Sequence, residues 1–150
     1  MAAMLPIQPA DRDDFVRMAI AHFSELNPEF APHDDWKEGY FSSILRNRNY
    51  FLRWILCDQQ RAGFILFGLE DHRFLPRKTG AIYELYIRPE FRRRGLAKAF
   101  AQEAIRELWT HSPSKIQLEV LEGRTAAAAL WKALGFHKVT ERYVLERSRP

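Results

Sequence analysis

From Thr79 to Ile87 the chain is rich in Ile, Leu and Tyr and reads as a strand, which Pro89 stops. A short loop leads to Gly95. From there Leu96, Phe100, Ala104, Ile105 and Leu108 recur at helical spacing until Ser112-Pro113. Lys115 to Leu121 is again strand-like. A strand, helix and strand in this order form a βαβ unit with a right-handed crossover. Such a unit belongs in an α/β fold whose sheet is covered by helices on both faces.

The flanking segments fit that frame. Met4 to Pro9 is apolar but interrupted by Pro6, which suits an edge strand or a lead-in rather than a central strand. Asp11 is placed to cap a helix, with Asp13 and Asp14 in its first turn and Phe15, Met18, Ala19, Phe23 and Leu26 on one face. Asn27-Pro28 ends it. A second helix is expected from Asp34 or Asp35 to about Arg46, burying Trp36, Tyr40, Phe41, Ile44 and Leu45. Tyr50 to Cys57 and Arg61 to Leu69 read as two strands joined by the tight connection Asp58-Gln59-Gln60. Thr125 to Leu134 is a short helix closed by Gly135 in the left-handed conformation, and Phe136 to Arg147 is expected to supply one or two last strands. The chain shows no internal repeat and no linker, so residues 1–150 are expected to form one domain.

At 150 residues, 47% hydrophobic and 28% charged, the chain can bury a core and is neither disordered nor of low complexity. No apolar run approaches the roughly 18 residues a membrane helix needs, and the N-terminus lacks the basic and apolar regions of a secretory signal. A single cysteine, Cys57, forms no internal disulfide or metal cluster, and in a strand it reads as a core residue. The five histidines show no metal-ligand spacing. A reducing, cytoplasmic setting is therefore expected, with no metal and no membrane. The formal charge of +4 permits an anionic partner.

That charge is concentrated where the strand meets the helix. Arg88, Arg92, Arg93, Arg94 and Lys98 stand against Glu90 alone. A helix N-terminus presents unpaired N–H groups and the positive end of its dipole, and Gly95 leaves room for an anion to approach. The arrangement suits a phosphate or pyrophosphate; the plainer reading is a solvated basic loop capping an ordinary helix. The G-K-[ST] ending of a Walker loop and the G-x-G-x-x-G dinucleotide fingerprint are both missing. The arginines are confined to one loop, without the broad basic stripe of a nucleic-acid binder.

Arg92-Arg93-Arg94-Gly95-Leu96-Ala97 resembles [RQ]-x-x-G-x-[GA], motif A of the GNAT superfamily of N-acetyltransferases. Downstream, Ala129 to Phe136 (A-L-W-K-A-L-G-F), counted from Ala127, resembles that family's A-x-x-L-Y-x-x-x-G-F segment. The specific motifs lie between residues 79 and 136, but the element order along the whole chain is similar to the family's. The resemblance implies a three-layer α/β fold with a mixed central sheet whose parallel strands, 79–87 and 115–121, splay apart to admit acetyl-CoA. It implies that backbone groups of Leu85, Tyr86 and Ile87 bond the pantetheine arm. The pyrophosphate would be held by Arg92, Arg93, Arg94, Gly95, Leu96, Ala97 and Lys98. Arg124, Ala127 and Trp131 would complete the cofactor side, with the alanines of 126–129 as a low wall; their other reading is plain helix propensity.

The chemistry so implied is direct acetyl transfer to a primary amine, either a small cationic amine or a protein amino group. The amine must lose a proton before it attacks the thioester. Glu84, in an otherwise apolar strand, is the candidate base, acting through water, and Glu119 is the reserve; the alternative role of Glu84 is an ion pair. A backbone N–H near Ile87 would stabilise the oxyanion. Two positions depart from the family pattern. Trp131 stands where many relatives carry a tyrosine acid, which leaves Tyr143 or Tyr83 as the acid or an unassisted thiolate departure. Arg124 stands where asparagine is frequent. The tail after Gly135 is short, so the last hairpin is either abbreviated or completed by a partner chain in a homodimer. Glu25, Glu29, Asp34 and Asp35, with Phe23, Phe30, Trp36 and Tyr40, suit a cationic acceptor, or else are helix caps and core. The competing function is an acyl-CoA-binding or regulatory domain with weak catalysis.

Overall fold

Continuous buried runs along the central strands, Ala62–Gly68 and Thr79–Ile82, build the sheet, as a computed structural model of the protein shows for residues 1–148. Two compact units make up the chain, one of Met1–Glu119 and one beginning at Val120. The first unit contains β1 (Ala2–Pro6), α1 (Arg12–Leu26), α2 (Asp34–Arg46), β2 (Tyr50–Cys57), β3 (Gln60–Asp71), β4 (Lys78–Ile87), α3 (Leu96–Thr110) and β5 (Ile116–Gln117). The strands lie in the order β1-β2-β3-β4-β5. The first four are antiparallel neighbours, whereas β5 runs parallel to β4. This is the mixed α/β sheet with parallel partners at β4 and β5 that the sequence implies.

Successive strand side chains point to opposite faces. Leu52, Trp54, Phe64, Leu66 and Tyr86 join Phe15, Met18 and Ala19 of α1 and Phe41 and Ile44 of α2 in one buried core. On the other face, Arg53 reaches α3, where its guanidinium meets both carboxylate oxygens of Glu107 at 2.8–2.9 Å. The α3 residues Leu96, Phe100, Ala101, Ala104 and Leu108 are buried. Helices thus cover both faces.

Three expectations are corrected. β1 begins at Ala2, pairs antiparallel with β2 at the sheet edge and ends at Pro6, which has no N–H to give to a ladder, though the Ile7 N–H after it still donates to the Leu52 carbonyl. β5 spans only Ile116–Gln117 rather than Lys115 to Leu121. Residues 136–148 form no strand, because apolar alternation cannot make one without a neighbouring backbone edge. In the second unit, α4 (Thr125–Ala133) ends as expected at Gly135, whose φ is +99°. There the Phe136 N–H donates to the Trp131 carbonyl and the Gly135 N–H to that of Lys132, while the Phe136 ring packs edge-on against Trp131.

Asp11 plays a larger part than a helix cap. It precedes α1 in a 3-10 turn, Pro9–Asp11, and accepts from the Gln8 N–H, the Trp54 indole N–H and the Arg61 guanidinium at 2.7–3.1 Å. The bond from Gln8 is the main cause holding its carboxyl below the usual carboxylate range, outweighing burial, and Trp54 and Arg61 add to it. A lowered folded-state pKa contributes stability above the unfolded value, which is lost as pH falls through the folded one. Asp11→Asn is therefore expected to destabilise the protein by about 1–2 kcal/mol at neutral pH. Urea unfolding should show the difference narrowing as the pH drops below about 4; a gap independent of pH would count against this assignment.

Candidate active site

The parallel partnership of β4 and β5 is brief. Gly80 pairs with Ile116 and Ala81 with Gln117, and no further pair follows. Among the described residues, the β5-facing edge of β4 from Ile82 to Ile87 therefore has no strand beside it, and of its backbone groups the Ile87 carbonyl is taken by Arg92. Leu85, Tyr86 and Ile87, expected to bond the pantetheine arm, all lie on this stretch. On its other edge the same stretch is held by β3, with Leu66 opposite Glu84 and Phe67 opposite Ile82. The register shift there leaves Tyr83 as an extra residue, which bends the strand locally.

Beyond Ile87 the chain makes a second 3-10 turn, Pro89–Phe91, and reaches α3 through Arg93 and Gly95, both at positive φ, 64° and 76°. No side chain caps the N-terminus of α3, so its first N–H groups are available to an anion. A Cβ built on Gly95 would meet nothing within 4 Å, which leaves the approach open. Arg92, Arg93, Arg94 and Lys98 are exposed, whereas Leu96 is buried and Ala97 is half-buried. The arginines divide their work. Arg92 turns back, donating from Nε to the Ile87 carbonyl at 2.7 Å and to both carboxylate oxygens of Glu25 at 2.8 Å, so it ties the loop to α1. Arg94 bonds the Glu90 carbonyl at 3.4 Å and lies over the Phe91 ring. Arg93 and Lys98 have no ion-pair partner among the described residues.

Glu84 points to the α1 side of the sheet. Its Oε2 lies 2.6 Å from His22 Nε2, with the glutamate side chain 22% exposed and the histidine 9%. Nearby, Tyr40 is half-buried, and burial followed by the charge of Glu84 pushes its phenol well above the ordinary range. Tyr83 donates to Glu70 at 2.6 Å; burial and that bond raise it strongly. Glu119 lies beyond the end of β5 and is exposed.

His22 is the residue that sequence reasoning passed over as a potential base on the acceptor side. The signal was present: Phe15, Met18 or Ala19, and position 22 share one helical face, and a histidine on a buried stripe needs a polar partner. Of the acceptor-side candidates, Glu25 is engaged by Arg92. Phe23, Phe30, Trp36 and Tyr40 form one contiguous aromatic group, with Trp36 stacked on Tyr40 at 4.9 Å.

In the second unit, Arg124 precedes α4 and its N–H donates to the Leu121 carbonyl. Ala127 is half-buried, and Trp131 is buried against Phe136. Tyr143 is 87% exposed and donates to Glu141, a bond that raises its phenol and makes it a weaker acid. Among the described residues no cluster of His, Cys, Asp and Glu could hold a metal ion, and no helix is long and apolar enough to cross a membrane.

Comparison with known proteins places these features in a family. Residues 15–136 match the model of the acetyltransferase (GNAT) family. A [ribosomal protein bS18]-alanine N-acetyltransferase of Salmonella typhimurium is 36% identical over 61 residues, a stretch that spans 41% of this chain and 41% of that protein. Among solved structures, a transcriptional regulator from Bacillus halodurans C-125 superposes with a TM-score of 0.82 at 15% identity, covering 98% of this chain and 100% of its own. AAC(6')-Iy in complex with the bisubstrate analogue CoA-S-monomethyl-acetylneamine superposes with a TM-score of 0.74 at 18% identity, over 99% of each chain. At those identities the superpositions speak for the fold, and the family match extends over most of the sequence, from the first helix past the second motif: the chain belongs to the GNAT acetyltransferase family.

Proposed function

We propose that the protein is an acetyl-CoA-dependent N-acetyltransferase acting on a primary amine. The observation that carries this reading is the open edge of β4 from Ile82 to Ile87, continuous with the uncapped, cationic start of α3 and bearing Glu84 on the same strand. Coenzyme A needs a hydrogen-bonding edge for its pantetheine amides and a positive cradle for its pyrophosphate, and one segment of chain supplies both. Arg93, Arg94, Gly95, Leu96, Ala97 and Lys98 form the cradle, and Arg92 holds it to α1. For Arg124, Ala127 and Trp131 the assignment to coenzyme A rests on the sequence pattern.

Glu84 accepts the proton of the acceptor amine through water. The amine nitrogen then bonds to the thioester carbonyl carbon, the carbonyl oxygen becomes an oxyanion facing the backbone N–H near Ile87, the C–S bond breaks as the oxyanion collapses, and the surplus proton left on the nitrogen passes to water or to the departed thiolate. With Trp131 in place of a tyrosine and the phenol of Tyr143 raised, the sulfur leaves as thiolate, which is chemically reasonable for a thiol with a reference pKa of about 8.5. The acceptor class follows the relatives. An α-amino group of an alanine, as named for the Salmonella protein, and an amine of neamine, as in the analogue bound to AAC(6')-Iy, are the two to test first. An acyl-CoA-binding domain without transfer is the second reading, favoured by Trp131.

Calorimetry with acetyl-CoA, followed by mass spectrometry of an alanine-first peptide and of neamine incubated with it, tests the proposal. Binding with a gain of one acetyl group and release of free thiol is the expected result. Binding without transfer to any amine would favour the second reading, and absence of binding would overturn both. Gly95→Glu is expected to weaken acetyl-CoA binding by about tenfold or more, because a carboxylate then faces the pyrophosphate from a residue forced to positive φ. Unchanged affinity would remove the loop from the cofactor site.

A further inference from the structure

We infer that His22 is the positioning residue of Glu84: it holds one carboxylate oxygen so that the other takes the acceptor's proton. The inference rests on the acetyl-transfer reading and extends it to a residue on a different element.

The geometry carries it. His22 Nε2 meets only one of the two oxygens, Glu84 Oε2, at 2.6 Å. Glu84 Oε1 has no protein partner among the described residues, and the side chain keeps 22% of its surface. The imidazole is itself held in place. Its ring centre lies 5.0 Å from Phe23, 5.7 Å edge-on from Phe64 and 5.3 Å from Tyr86, so α1, β3 and β4 all restrict its rotation. A neutral ring donating its Nε2 proton leaves the carboxylate ionised, oriented and free at Oε1.

The other polar groups facing the pair are kept neutral or are held elsewhere. From β4, Tyr86 presents a phenol that burial keeps raised. From α2, Tyr40 is raised by burial and by Glu84. β3 contributes the apolar Phe64. From α1 itself Glu25 is paired with Arg92 of the loop after β4, and that guanidinium lies over the Tyr86 ring at 5.6 Å. Among the described residues, His22 and Glu84 are thus left facing each other, with no other charged group of these elements between them.

The experiment has two arms. First, the His22 ring resonances of the wild type and of Glu84→Gln are compared by NMR at one pH. Replacing the carboxylate should displace the Nε2 resonance, and an unchanged spectrum would overturn the pairing. Second, kcat and KM are measured with acetyl-CoA and an alanine-first peptide. His22→Gln keeps an N–H donor and should retain wild-type turnover within about threefold. His22→Ala should fall by about tenfold or more in kcat, with the KM for acetyl-CoA little changed. Turnover in His22→Gln as low as in His22→Ala would overturn the donor role of the ring, and full turnover in His22→Ala would overturn the positioning role. If Glu84→Gln keeps wild-type turnover, the base assignment fails instead. If Glu84→Gln is inactive while His22→Gln and His22→Ala behave as wild type, the base stands and only the role of His22 falls.

Discussion

Replacing Glu84 by glutamine is expected to lower kcat/KM for acetyl transfer by about a hundredfold or more, within the range a general base supplies. Acetyl-CoA affinity should be almost unaffected, because the backbone edge of β4 and the start of α3 are unaltered. The substitution keeps the size of the side chain and a polar atom for His22, so the 2.6 Å contact has a neutral counterpart and the packing of α1 on β4 persists. What disappears is the capacity to hold a proton. Steady-state kinetics beside calorimetry separates the two effects, and turnover equal to that of the wild type would exclude Glu84 as the base.

A second large effect is expected from the backbone alone. A Cβ built on Gly63 would lie 1.9 Å from the Tyr86 carbonyl oxygen and 3.0 Å from Ile87 Cα. Those are backbone atoms and cannot swing aside as a side-chain tip does. Gly63 faces Ile87 across the β3–β4 ladder, and next to it the Arg88 N–H donates to the Ala62 carbonyl at 2.7 Å. Gly63→Ala must push the two strands apart where β4 leads into the basic loop. A loss of about 3 kcal/mol is expected, a large part of the roughly 5–15 kcal/mol that holds a domain folded. Because Tyr86 packs against His22 and the Ile87 carbonyl accepts from Arg92, acetyl-CoA binding should weaken in the same variant. Urea unfolding provides the check; a change below about 1 kcal/mol would mean that the strands absorb the methyl group.

How far the site could be read from the residue order differs from place to place. The loop from Pro89 to Gly95 and the helix after it were legible because their signals are local. Proline stops a strand, glycine takes a positive φ, and a stripe of apolar residues defines a helix face. The same holds for the end of α4, where Gly135 and Phe136 form the expected cap. The strands were less legible at the edges of the sheet. Lys115 to Leu121 and Phe136 to Arg147 carry apolar alternation, yet only Ile116–Gln117 pairs, since a strand exists only where another backbone offers its hydrogen bonds. That shortfall is what leaves β4 with an open edge.

The residue order alone determined the element sequence, the α/β class, the basic loop opening a helix at Gly95, and Glu84 as the carboxylate in an apolar strand. These follow from backbone stereochemistry and side-chain period, which act over a few residues. Only the tertiary structure decided that Arg92 spends its charge on Glu25, 67 positions away, and that His22 meets Glu84 across 62 positions. No local rule links such pairs. They exist because packing the α1 stripe against β3 and β4 sets these elements side by side; His22 and Glu84 are thereby taken out of water, where each needs a partner within hydrogen-bond reach, while Arg92 and Glu25 meet at the exposed margin of the same packing.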